Sequence, residues 1–235
     1  MRAIILAGGK GTRLRPYTTV IPKPLVPIGD EMPILEVVIR QLARFGFKHI
    51  TITVNHLAEL IGAFFGDGKK WGVKIDYSME DSPLGTIGPL TLIKDLPGDF
   101  LVMNGDILCN LDYAAFYRDH VKSGGKVTVN TFRRKSKIDF GVLKYDKAGT
   151  IVEFSEKPEL DFDVSMGIYC INRSVIRALP KGKPYSFDAL MLDGIKAGAG
   201  YKASPFKGFW LDIGRPEDYE YCNENFKKIR KTIGI

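Results

Sequence analysis

Cysteine is nearly missing from this sequence. Its three copies, Cys109, Cys170 and Cys222, are odd in number and far apart, which argues against a disulfide framework or a zinc site and for a reducing compartment. Long apolar runs are absent too: none approaches the roughly 20 residues needed to cross a bilayer. The N-terminus has no cationic leader, extended apolar core or cleavage site, and its first apolar run reads as a strand of the fold. No membrane partner is expected, and the cytoplasm is the expected location. Histidine is rare, and His49, His56 and His120 fall in no catalytic string, so they read as structural or surface residues. No hexapeptide repeat follows the last helical segment, and no appended β-helix is expected.

Two nucleotide-binding signatures are missing as well. A Walker loop needs Gly-x-x-x-x-Gly-Lys-Ser/Thr opening onto a helix, and the chain has no such string. The dinucleotide fingerprint needs a third glycine where Leu14 stands and an acidic residue closing the second strand; that strand, Ile50 to Val54, ends at Asn55. Nucleic-acid recognition lacks its signatures too. The formal net charge is +7, yet only Arg133-Arg134-Lys135 and Lys227-Lys228-Ile229-Arg230-Lys231 cluster. The second cluster lies on a terminal amphipathic segment, where a basic face is normally solvated, and no zinc finger, basic zipper or aromatic RNA-binding motif accompanies either. No nucleic-acid partner is expected; the positive field suits anionic substrates.

What is present is ordinary globular composition over 235 residues, 45% hydrophobic and 26% charged, enough for one sizeable core. Apolar periodicity alternates strand and helix. Strands are expected at Arg2 to Ala7, His49 to Val54, Val73 to Ser78, Asp99 to Asn104 and Lys126 to Phe132. Helices are expected from Pro33 to Gly46, over Ala58 to Phe65, around Leu90 to Lys94 and over Tyr113 to Lys122. Further on, Gly141 to Tyr145 and Thr150 to Phe154 flank a hairpin turn, Asp146-Lys-Ala-Gly149. Met166 to Ile171 reads as a strand, and Ser174 as the cap of a short helix, Val175 to Leu179. The fold class is α/β: a Rossmann-like mixed, mostly parallel sheet flanked by helices, in a single domain over residues 1–235.

The chemistry begins at the N-terminus. An apolar strand runs into Gly8-Gly9-Lys10-Gly11-Thr12-Arg13-Leu14, Arg15 follows, and Lys23 sits between Pro22 and Pro24. Bare glycines let backbone N–H groups turn around phosphate oxygens, and fixed cations neutralise the remaining charge. This is a loop for a polyphosphate. The string, followed by Pro22-Lys23-Pro24-Leu25, resembles the sugar nucleotidyltransferases, the nucleoside-diphosphate-sugar pyrophosphorylases. The likeness covers nearly the whole chain.

That resemblance implies substrates and roles. A nucleoside triphosphate and a sugar 1-phosphate would be joined to a nucleoside-diphosphate sugar, with pyrophosphate released. Leu6, Ala7, Gly8, Gly9, Gly11 and Thr12 would bind nucleotide, Arg13 the leaving phosphates, and Lys23 the α-phosphate. Residues 1–110 would be mainly the nucleotide portion, and 111–235 mainly the sugar portion with a final helix. Leu101-Val-Met-Asn-Gly-Asp106 and Phe209-Trp-Leu-Asp212-Ile-Gly214 each end an apolar approach in a carboxylate, and the family pattern gives these two to Mg²⁺, which takes few protein ligands beside phosphate oxygens. Arg13, Lys23 and Asp106 are the expected catalytic residues.

Glu153-Phe-Ser-Glu156-Lys157-Pro158 matches the family's Glu-Lys-Pro string, with Glu156 on sugar hydroxyls and Lys157 on the sugar phosphate. Gly141 and Gly167 match glycines that let a sugar lie against backbone. The loop Glu80-Asp-Ser-Pro-Leu-Gly85-Thr86 matches the one that closes over the base, with Glu80 at its edge. Thymidylyl relatives carry Gln there. A carboxylate only accepts, and guanine's adjacent N1–H and N2–H suit it, so GTP is the expected nucleotide. Ser165 stands where the family usually has Asn, which leaves room for a bulkier sugar. The likeness therefore points to bacterial sugar-1-phosphate guanylyltransferases acting on D-glycero-α-D-manno-heptose 1-phosphate. Mannose 1-phosphate, another nucleotide and sugar, or a non-catalytic regulatory subunit are the alternatives. A homodimer is compatible with the sequence.

Overall fold

The structure is a computed structural model describing residues 1–55 and 57–235; His56, read above as structural or surface, lies outside the described residues. Thirteen strands and six α-helices follow in chain order, among the described residues: β1 (Arg2–Leu6), β2 (Pro27–Ile28), β3 (Met32–Pro33), α1 (Ile34–Arg44), β4 (His49–Val54), α2 (Ala58–Phe65), β5 (Lys74–Met79), β6 (Asp99–Asn104), β7 (Ile107–Cys109), α3 (Tyr113–Ser123), β8 (Val127–Lys137), β9 (Val142–Tyr145), β10 (Ile151–Ser155), β11 (Glu159–Asn172), α4 (Arg173–Arg177), α5 (Phe187–Lys196), β12 (Lys202–Phe206), β13 (Trp210–Asp212) and α6 (Pro216–Ile233).

Seven strands form the main sheet in the order β12-β8-β11-β6-β1-β4-β5. Strand β11 runs antiparallel to both β6 and β8, and the other pairings are parallel. The mixed, mostly parallel sheet flanked by helices is therefore the observed one. Alternation along β1 sends Ala3 and Ile5 to one core layer, with Leu35, Val38 and Leu42 of α1. Ile4 goes to the opposite layer, with Leu90, Phe100 and Leu190. A third cluster packs Tyr219, Cys222, Phe226 and Ile229 of α6 against Leu14, Val26 and Ile28. Each fully buried Val, Leu, Ile, Phe or Met side chain in these layers contributes about 1.5–3 kcal/mol. No helix is long and apolar enough to cross a membrane, among the described residues.

Several boundaries differ from expectation for local reasons. Pro33 is extended (ψ 148°) and precedes α1 instead of opening it. The segment expected to be helical at Leu90 to Lys94 is a 3₁₀ turn over Gly88–Leu92 that ends with Ile93 extended. The cap of α4 is Asn172, whose side chain accepts from Ser174 N, so the helix starts at Arg173 rather than after Ser174. Strands β8 and β11 continue well past their expected ends, to Lys137 and back to Glu159, as a two-stranded ribbon. The expected hairpin at Asp146 is present: Asp146 Oδ1 accepts from Ala148 N and Thr150 N.

Candidate functional site

The site is built at the carboxyl ends of β1 and β6, where ligands of open α/β sheets bind. Ala7 N still donates to Thr53 O at 3.0 Å, so the glycine loop leaves the sheet from a fixed point. Gly11 has φ +62°, and a Cβ there would lie 3.1 Å from both Lys23 and Thr18 side chains; only glycine fits both the twist and the space. Leu14 is fully buried and pins the 3₁₀ turn Thr12–Leu14, which holds Arg13 on the cleft side. Pro24, also buried, does the same for the turn that carries Lys23. The resulting cleft of about 190 Å³ is lined by Leu6, Ala7, Gly9, Gly11, Thr12, Arg13, Lys23, Pro24, Gly105, Asp106 and Gly214.

The two predicted carboxylates converge through a ladder that sequence reasoning missed. Strand β13 pairs antiparallel with β7, setting Asp212 opposite Ile107, and Ile213 N donates to Asp106 O at 3.0 Å. Lys23 Nζ forms a short ion pair with Asp106 Oδ2, both side chains largely buried. Asp106 Oδ1 is buried with no hydrogen-bond partner. Burial, and next the charge of Asp106, push the Asp212 carboxyl up from its ordinary pKa, while Lys23 and Arg13 oppose that shift. Two close carboxylates with one orphaned oxygen are a donor set that suits a hard divalent cation. No group of three or more His, Cys, Asp or Glu side chains is placed to hold a metal, among the described residues.

Glu80 is buried. Its Oε2 accepts from Leu84 N at 3.1 Å, its Oε1 occupies the space a Cβ on Gly8 would need, and burial raises its pKa. One carboxylate oxygen is thus already engaged within its own loop. Gly85 (φ +78°) abuts the Tyr185 carbonyl, and Thr86 Oγ1 accepts from Phe187 N at 2.8 Å; both tie this loop to the start of α5.

The predicted sugar residues gather elsewhere. A Cβ on Gly141 would meet Phe154 at 2.8 Å and Glu156 Oε2 at 3.2 Å, so Gly141 and Glu156 are neighbours at the root of the hairpin. Lys157 has φ +45°, an uncommon conformation for a side-chain-bearing residue and one that clusters at ligand sites. Ser165 Oγ accepts from Gly167 N at 3.2 Å and lies 3.4 Å from Tyr169 OH. Gly167 (φ +71°) packs on Asn104 at the end of β6. None of Glu80, Gly141, Glu156, Lys157, Ser165 and Gly167 lines the glycine-loop cleft. Gly105, Gly214 and Pro24 line it without having been predicted, although each is adjacent in sequence to a predicted residue or one residue from it. His49 pairs with Asp76 at 2.6 Å and His120 with Thr128 at 2.8 Å, both in structural settings.

Residues 2–229 match the nucleotidyl transferase family. This chain belongs to that family. The chain is 34% identical over 226 residues to the mannose-1-phosphate guanylyltransferase catalytic subunit beta of Dictyostelium discoideum, covering 93% of this chain and 62% of the relative. It is 35% identical over 239 residues to the UTP–glucose-1-phosphate uridylyltransferase of Synechocystis sp., covering 93% and 61%. The nucleotidyl transferase chain thus spans about three fifths of the length of these curated relatives. The solved structure of HddC from Yersinia pseudotuberculosis superposes with TM-score 0.74 at 29% identity, covering 96% of this chain and 99% of that one. HddC complexed with GMP-PN superposes with TM-score 0.72 at 28% identity.

Proposed function

We propose that this nucleotidyl transferase joins a nucleoside triphosphate, GTP by preference, to a sugar 1-phosphate. The carrying observation is the paired Lys23 and Asp106 in the glycine-loop cleft, with Asp212 in the adjoining cleft near enough for the Asp106 charge to act on its carboxyl. In the reaction a sugar-phosphate oxygen attacks the α-phosphorus in line, the bond to the β-phosphate oxygen breaks, and pyrophosphate leaves. A phosphate monoester with a second pKa near about 6 is mostly dianionic at neutral pH, so no general base is needed. Catalysis is positioning and charge neutralisation. Gly8, Gly9 and Gly11 present backbone N–H groups to the phosphates, Arg13 meets the leaving pair, and Lys23 steadies the α-phosphate. Lys157 anchors the attacking phosphate and Glu156 orients sugar hydroxyls. Asp106 and Asp212 would hold Mg²⁺, which when bound supplies charge neutralisation on the phosphates. Residues 1–110 serve mainly the nucleotide, and 111–235 mainly the sugar.

GTP is supported by the carboxylate at position 80, by the guanylyltransferase names among the relatives, and by the guanosine compound in the HddC structure. D-glycero-α-D-manno-heptose 1-phosphate is the proposed sugar, on the strength of Ser165 and of the likeness to HddC over 96% of this chain. Mannose 1-phosphate is the second reading, favoured by the names of the curated relatives. A matrix of five nucleotides against a panel of sugar 1-phosphates, read by pyrophosphate release, tests both. GTP with a heptose or mannose 1-phosphate is expected to give the highest kcat/KM. A pyrimidine preference sinks the guanine assignment, and binding without any turnover sinks the enzyme.

A further inference from the structure

A second cleft of about 260 Å³ opens beside the first and shares Arg13 and Gly214 with it; Arg134, Trp210, Asp212 and Arg215 form its other principal walls. Three arginines therefore line one depression. None of the three has a carboxylate within ion-pair distance, among the described residues, whereas Arg133, next door, pairs with Asp163 at 3.4 Å and Asp161 at 3.9 Å.

Strand alternation explains the contrast. In the ribbon, Arg133, Lys135 and Lys137 stand opposite Asp163, Asp161 and Glu159, giving one charged, self-neutralised face. Arg134 stands opposite Phe162 on the other face. There its guanidinium lies 5.6 Å from the centre of the Trp210 ring. Trp210 is itself fixed, since its Nε1–H donates to Met166 O at 3.3 Å and its ring packs on Phe132 at 5.3 Å. A guanidinium stacked on an indole keeps its in-plane N–H edge free for oxygen acceptors. Asp212 and Asp218 bring negative charge to the same cleft, and Asp218 Oδ2 accepts the Arg215 N–H at 3.0 Å. Three cations still outnumber two carboxylates.

We propose that Arg134 and Arg215, together with Arg13, form a phosphate subsite beyond the glycine loop. Its ligand is a phosphate group, supplied either by the departing pyrophosphate or by the sugar 1-phosphate. This inference rests on the nucleotidyl-transfer reading. Arg13 borders both clefts, so a phosphate can pass from the loop to the arginine cluster without leaving cationic contact.

The test compares wild type, R134Q, R134K and R215Q with R133Q, which changes the opposite ribbon face. Three measurements are made on each: KM for sugar 1-phosphate in the forward direction, KM for pyrophosphate in the reverse direction, and calorimetric titration of pyrophosphate and of sugar 1-phosphate separately. R134Q and R215Q are expected to weaken one of the two ligands about 10-fold or more, the scale of a lost charge-assisted hydrogen bond. R134K is expected to fall between, and R133Q to match wild type. The arm that moves names the source of the phosphate. Unchanged KM and titration values in both R134Q and R215Q overturn the subsite, as does an equal loss in R133Q. The titrations need no turnover, so a chain that binds phosphate through Arg134 but transfers no nucleotide refutes the proposed function and not the subsite.

Discussion

At the glycine loop, Leu14, Val26 and Ile28 are buried under α6 and hold the turns that carry Arg13 and Lys23. At the ribbon and hairpin, Phe140, Tyr145 and Phe154 are 77%, 71% and 61% exposed, and the charges pair across strands in water. Cleft side chains at the loop end are positioned by a packed core before any substrate arrives. Those at the ribbon end gain little from their neighbours, because exposed ion pairs contribute roughly 0–1 kcal/mol. A polyphosphate and a divalent cation concentrate charge and reward rigid placement. A sugar presents many weak hydroxyl contacts and tolerates a site that firms up around it. On the proposed function, one fold would thus supply a packed end for the phosphates and a solvated one for the sugar.

The sharpest way to break this comparison is at the carboxylates. D106N and D212N are each expected to lower turnover at least about 100-fold, since on the proposed function they would lose the charge that holds a metal against the phosphates. A chelator in excess should abolish turnover in wild type. Steady-state pyrophosphate release checks both, with circular dichroism confirming the fold, and near-normal turnover in either variant removes that residue from the site. At the solvated end, E156Q and K157A are expected to raise KM for sugar 1-phosphate roughly 10- to 200-fold while leaving KM for the triphosphate unchanged. A matching rise in both KM values would mean that the two ends are not separable.

S165N is expected to penalise a heptose 1-phosphate about 10-fold relative to mannose 1-phosphate, one buried group's worth of discrimination. Equal effects on the two sugars in kcat/KM would remove Ser165 from sugar selection. The smallest effect lies in the base loop. Burial raises the Glu80 pKa in the folded state, so the folded protein binds the Glu80 proton more tightly than the unfolded chain does. Stability from this group is complete below the unfolded carboxyl pKa and declines as pH rises through the raised folded value. E80Q is therefore expected to melt slightly above wild type at neutral pH. The gain should fade as pH drops into the ordinary carboxylate range, and a pH-independent difference in Tm would show that the charge is not the cause.

Strands β4 and β6 and helix α2 are legible to the residue, and β1 nearly so, because buried parallel strands are continuous apolar runs and α2 follows with helical spacing. The outer halves of β8 and β11 were not, since Arg133 to Lys137 and Glu159 to Asp163 look like solvated charge until their register pairs them. Helix α5 carries a readable signal in Ser186, whose side chain accepts from Ala189 N. Strand β7 spans three residues and owes its form to β13, a partner about a hundred positions away; no local pattern announces it. The loop, Lys23 and the two aspartates were readable because their chemistry is unusual where it stands. Arg134 was visible only as part of a basic cluster, and its difference from Arg133 is one of side, which needs the register.

The ribbon also constrains how this chain can change length. Arg133 and Arg134 reach opposite faces because side chains alternate along β8, and the register shift between Ser165 and Tyr169, which face Thr131 and Val129, adds two residues to the partner strand and so keeps that alternation in step. Loss or gain of a single residue in β8 just before Arg133 would turn its charged face toward Trp210 and send Arg134 to solvent. Insertions and deletions in this stretch should therefore be tolerated in pairs, or singly only when a one-residue bulge restores the parity. Homologous ribbons of different lengths would then differ by even numbers of residues.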